Sequence, residues 1–100
     1  MPIEAPKYRF TRSMAGGAPE EAGVYALWKG DELIFLGRAS NAVTIRACLV
    51  AHLDGSCPCT RQATHYTWEL SLQPATREAE ALREFQSRFG RLPRCNGEAA

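Results

Sequence analysis

Gly23-Val24-Tyr25-Ala26-Leu27-Trp28-Lys29-Gly30-Asp31-Glu32-Leu33-Ile34-Phe35-Leu36-Gly37 is the stretch that decides the fold. Two runs of apolar, aromatic and β-branched residues flank a polar centre, Lys29-Gly30-Asp31-Glu32, whose Gly-Asp pair is turn chemistry. The segment therefore predicts a β-hairpin. Centring the turn on Gly30 sets Tyr25 opposite Phe35 on one face, so two aromatic rings are expected side by side.

Downstream, Ser40 or Asn41 is a suitable cap for a helix running to about Leu53, with Ala42, Ile45, Leu49 and Leu53 at helical spacing. Residues 54–63 read as a loop, and residues 65–72, with Tyr66 and Trp68, as a third strand closed off before Pro74. Thr76 predicts the cap of a second helix, with Glu78 in its first turn, Leu82, Phe85 and Phe89 as its apolar stripe and Gly90 as its stop. Upstream, residues 1–22 are irregular apart from a short edge strand around 7–11, and residues 97–100 form a tail. The expected architecture is α/β: a small sandwich with a three-stranded, mainly antiparallel sheet (the hairpin plus the later strand) and helices on one side. Its domain spans residues 23–96.

One hundred residues allow one core, and a 45% hydrophobic fraction suffices to fill it. No apolar run approaches a membrane span, and residues 1–10 lack the layout of a signal peptide, so the expected location is the cytoplasm and no membrane partner is expected. A formal charge of +1 excludes a polyelectrolyte argument, yet ten of the twelve basic residues are arginine, whose planar fork suits phosphate and carboxylate. In that compartment Cys48, Cys57, Cys59 and Cys95 read as reduced thiols, Cys48 as a small core residue. Cys57-Pro58-Cys59 with His52 and His65 invites a zinc reading. The Cys-x-Cys spacing is tighter than a zinc knuckle and no second cysteine pair follows, so zinc is disfavoured.

Gly23-Val24-Tyr25, followed ten residues after the tyrosine by Phe35-Leu36-Gly37, resembles the paired tripeptide signature of the GIY-YIG nuclease superfamily. Arg46 on the next helix matches the superfamily's arginine, and Glu84 resembles its metal-binding glutamate. Pro93-Arg94-Cys95-Asn96 is similar to the ending seen in the N-terminal catalytic domain of excision-repair nucleases. The resemblance spans about residues 22–96. It implies a metal-dependent endonuclease that hydrolyses DNA phosphodiester bonds, in a setting such as DNA repair, with Tyr25, Arg46 and Glu84 catalytic. Glu84 would hold one Mg²⁺ or Mn²⁺, and Arg38, His52 and Asn96 would contact substrate. A tyrosine is usual at position 35. Phe35 keeps the ring and removes the hydroxyl, which leaves open an alternative: a weakened or inactive module that binds nucleic acid or a protein partner.

The chemistry is coherent with those residue types. Phosphodiester hydrolysis needs an activated water and a cation for developing charge. One helical carboxylate can hold an ion that keeps most of its waters, an arginine can fork onto phosphate oxygens, and a phenol can relay a proton. Read singly, each residue has a plainer role. Tyr25 suits an ordinary strand aromatic, Glu84 has Arg88 at i+4 for a surface ion pair, and His52 suits a helix C-terminus. Arg46 has no acidic residue at i±3 or i±4, which favours a functional role. Five Arg against three Glu between Arg77 and Arg94 make that segment locally positive. Site-specific cleavage by so small a domain would need a homodimer or a larger partner protein.

Overall fold

The computed structural model describes residues 7–55 and 57–96. The elements run β1 (Tyr8–Arg9), α1 (Arg12–Ala15), β2 (Gly23–Lys29), β3 (Glu32–Ala39), α2 (Ile45–Asp54), a 3-10 turn (Thr60–Gln62), β4 (His65–Leu70) and α3 (Pro74–Phe89). The hairpin forms as the sequence requires, with Gly30 at φ +60° taking the first turn position, a conformation that favours glycine. Its register differs from a simple mirror about Gly30. Leu27 pairs with Phe35 and Trp28 with Leu33, so Ile34 is an extra residue in β3, a bulge. Tyr25 consequently lies opposite Gly37, with Phe35 diagonal to it on the same face. The bulge also turns two consecutive residues, Ile34 and Phe35, into one core layer.

The sheet has four strands in the order β1-β4-β2-β3, all neighbouring pairs antiparallel. The fourth is the two-residue edge strand β1, pairing Tyr8 with Tyr66 and Arg9 with His65. The segment before Gly23 thus contributes to the core, where Ala15 and Ala18 are buried and the Tyr66 hydroxyl donates to the Met14 carbonyl. The tail at 97–100 and residues 1–6 lie outside the described residues.

Helices cover both sides of the sheet, which corrects the expected one-sided packing. Tyr25, Leu27, Ile34 and Phe35 face α2 through Ile45 and Leu49, whereas Val24, Ala26, Trp28, Leu33 and Leu36 face α3 through Ala81 and Phe85. The continuous apolar run of β2 is the physical reason: a strand buried on both faces cannot alternate. Full burial of a side chain such as Phe85 or Leu49 stabilises by roughly 1.5–3 kcal/mol.

Both helix starts differ from the sequence reading. Thr44, not Ser40 or Asn41, caps α2 by accepting from the Ala47 amide. Ser40 Oγ is spent on the Ala42 and Val43 amides, turning the loop between β3 and α2. α3 begins with Pro74 in its first turn after Gln73, two residues before Thr76, because proline's fixed φ suits the first helical turn.

The reduced-cysteine expectation is overturned. Cys59 and Cys95, 36 residues apart in sequence, form a disulfide in the α2-side core. Among the described residues no helix is long and apolar enough to cross a membrane.

Candidate active site

Tyr25 projects from β2 across the backbone of Gly37, and any side chain at position 37 would push the ring aside. A Cβ there would stand 2.5 Å from both Cζ and the hydroxyl of Tyr25. The ring is thereby aimed at α2, where its hydroxyl lies 2.9 Å from His52 Nε2. Phe35 completes the group, its ring edge-on to His52 at 4.9 Å between centroids. Cys48, one turn before His52, lies beside the phenol and directs its thiol at the carbonyls of Arg38 and Val43.

Burial sets the protonation states. It pushes the Tyr25 phenol far above its ordinary value, with further upward contributions from Cys48 and Glu78. Burial also lowers His52, favouring neutral imidazole. The phenol is thus protonated and the imidazole neutral, and the His52 tautomer sets which of Tyr25 Oη and His52 Nε2 donates. Burial likewise raises Cys48, partly offset by its hydrogen bond with Tyr25.

At the end of β3, Arg38 Nη1 lies 3.6 Å from Glu78 Oε1, and Arg38 is more than half exposed. Glu78 is raised by burial and pulled back by Arg38. A solvent-open cavity of about 230 Å³, lined by Arg38, Ser40, Val43, Cys48, Pro74 and Ala75, opens between the starts of α2 and α3.

Arg46 is drawn elsewhere. Its Nε donates to the Ala18 carbonyl at 2.8 Å and its Nη1 lies 3.1 Å from Glu20. Arg46 and Cys48 are turned about 200° from each other around α2. The acidic partner missing at helical spacing is thus supplied by the loop before β2. Glu84 is exposed on the outer face of α3, beside Glu80, Arg83, Ser87 and Arg88, with the sheet between it and Tyr25. Asn96 spends both ends of its side chain on Leu36. Its Oδ1 accepts from the Leu36 amide and its Nδ2 donates to the Leu36 carbonyl, both at 2.9 Å.

Of the six residues expected to form a site, Tyr25 and His52 meet on the α2 side of the sheet, Arg38 pairs with Glu78 of α3, Asn96 braces β3, and Arg46 and Glu84 stand apart. Cys48 joins Tyr25 and His52 unanticipated, and Glu78 joins Arg38. Helical phase was the available signal, since Cys48 and His52 are four apart on one face of α2.

No three His, Cys, Asp or Glu side chains converge as metal ligands among the described residues. The zinc candidates are dispersed: Cys59 is disulfide-bonded, His52 meets Tyr25, and His65 Nδ1 meets the Thr64 hydroxyl. Glu78, a partly buried carboxylate 3.6 Å from Arg38, is a donor suited to a hard divalent ion that retains its waters.

No family model matches the sequence, and neither does any curated protein. Solved structures do match: the GIY-YIG N-terminal endonuclease domain of UvrC from Thermotoga maritima, in point mutants bound to its catalytic divalent cation. One Tyr→Phe mutant is 21% identical with a TM-score of 0.64, covering 75% of this chain and 89% of that one. A second Tyr→Phe mutant is 18% identical at 0.63, and an Asn→Ala mutant 20% identical at 0.64; each covers 75% of this chain and 88% of the other. With the Gly23–Gly37 hairpin pairing Tyr25 against Gly37, and with α2 and α3 on either side of the sheet, this chain has the fold of a small GIY-YIG-like domain.

Proposed function

We propose that this chain is a metal-dependent endonuclease-type domain that hydrolyses DNA phosphodiester bonds, with Tyr25 and His52 as its proton-transfer pair. The observation that carries the reading is the phenol-to-imidazole hydrogen bond, 2.9 Å long, in a fold shared with an endonuclease domain. With His52 in its Nδ1–H tautomer, Tyr25, too weakly acidic to ionise alone, takes the proton of the attacking water as its own proton passes to His52 Nε2. Arg38, flanking the cavity, forks onto phosphate oxygens. Glu78 holds one Mg²⁺ or Mn²⁺ through its carboxylate. When bound, that ion neutralises charge developing on the phosphate. Arg46 positions the loop before β2, and phosphate could replace Glu20 on its half-exposed guanidinium. Glu84 is the alternative metal ligand, Asn96 a strand brace beside the substrate rather than a direct contact. The setting we assign is cytoplasmic DNA repair, with sequence specificity supplied by a second copy or a larger partner protein.

A second reading, a binding module without cleavage, is favoured by Phe35. No hydroxyl stands where it packs against His52.

Nicking of supercoiled plasmid in Mg²⁺ or Mn²⁺ tests both. Tyr25→Phe and His52→Gln should each lower the rate about 10²-fold or more. Glu78→Gln should abolish metal dependence while Glu84→Gln stays near wild type; the reverse pattern moves the metal to the outer face of α3. DNA binding that weakens with salt, with no nicking at any metal concentration, selects the second reading.

A further inference from the structure

β3 is the outermost strand of the sheet, and its free edge is covered by residues 93–96. The Cys95 amide donates to the Ile34 carbonyl, and Asn96 closes a two-point clasp on the amide and carbonyl of Leu36. Three backbone groups of an edge strand are thus satisfied by one short strap. The strap is fastened at its centre by the Cys59–Cys95 bond, which anchors it to the start of the 3-10 turn across the α2-side core. Leu36 sits between Phe35, which packs on His52, and Gly37, on which Tyr25 lies.

We propose that the Cys59–Cys95 bond is a redox latch. Closed, it clamps the strap to β3 and holds the strand that seats Tyr25; open, it frees the strap and loosens that strand. Opening consumes one dithiol reductant or two molecules of a monothiol such as glutathione. The S–S bond breaks, Cys59 and Cys95 each gain an electron and a proton, and the reductant leaves as its disulfide. Closing is the reverse, with a disulfide oxidant of the same class. Both sulfurs lie in the core, and a reduced Cys95 is compatible there as a small apolar side chain. The open state therefore differs in how firmly the strap is held, not in whether the core exists. The latch stands on strap geometry alone; only its effect on cleavage rests on the nuclease reading.

Native protein is equilibrated across glutathione buffers of graded GSH/GSSG ratio, the disulfide is followed by mass, and amide exchange is read residue by residue. The expected result is exchange at least tenfold faster at Leu36 and Cys95 in the reduced form, with Thr67 and Leu49 unchanged. Cys95→Ala should show the open pattern in every buffer. Asn96→Ala should release Leu36 even with the bond intact. Unchanged exchange in fully reduced protein overturns the latch. So does a loss of protection spread evenly over Thr67 and Leu49, which would make the bond a global staple, and so does a bond that GSH leaves unreduced without denaturant. If exchange responds as expected while no buffer yields nicking, the latch holds and the nuclease reading fails.

Discussion

At position 37 the absence of a side chain does the positioning. The Tyr25 ring occupies the volume a Cβ would take, so Gly37→Ala should destabilise the fold by about 1–3 kcal/mol. It should also displace the phenol from His52, a change that denaturant titration and nicking assays would register together. The same pair sets a pH signature. His52 is held below its ordinary value, so beneath about pH 6.5 the unfolded chain takes up a proton that the folded chain refuses. Stability present above that point is lost as pH falls toward the folded value. Glu78, raised by burial, has the opposite sign: its contribution is full below the ordinary glutamate value and declines as pH rises through the folded one. Replacing His52 with Gln should flatten the loss below pH 6.5 in chemical denaturation curves. Tyr25, Gly37 and His52 were legible as residues because each carries a distinctive atom or a distinctive lack of one. Glu78 was not: counting twelve residues back from Asn96 selects Glu84, whereas the two glutamates lie about 240° apart around α3. Sequence spacing measures length along a helix and is silent about phase until the buried face is known.

Among the elements, the hairpin and the helical stripes at Ile45, Leu49 and Phe85 followed from apolar pattern. Helix starts did not, because several hydroxyls compete within a few residues and only tertiary placement decides which meets an amide. Helices on both faces of the sheet could have been inferred from the unbroken apolar run of β2. Arg46 belongs to this scale, since it ties α2 to the loop that delivers the chain into β2. The Ile45 and Arg46 amides reinforce that tie through the Glu21 and Pro19 carbonyls. Arg46→Met should cost about 1 kcal/mol by removing the bond to the Ala18 carbonyl, and should speed amide exchange at the start of β2. Cleavage abolished in Arg46→Met with stability intact would instead return this arginine to the reacting groups.

For the whole molecule, charge is largely internal. Arg38 faces Glu78, Arg46 faces Glu20, Arg77 meets Glu69 and Glu80, and Arg91 and Arg94 share Glu32. Phosphates must displace these carboxylates, so few guanidiniums are available to release counterions. The expected dependence of log affinity on log salt is shallow, with a slope no steeper than about −4 in anisotropy titrations of a short duplex. A steeper slope would mean that the carboxylates yield more readily than their geometry implies. The cysteine pairing escaped the sequence because four thiols permit several connectivities, and which two meet depends on the path of α3 back across β3.

Central β2 touches both helical layers with alternate side chains, Val24 and Ala26 toward one, Tyr25 toward the other. A tilt of α3 therefore reaches the phenol after crossing a single peptide plane. Residues of the α3 layer are in mechanical register with the Tyr25–His52 pair. Repacking Phe85 with a smaller side chain is expected to blur the Tyr25–His52 alignment with no direct contact between them.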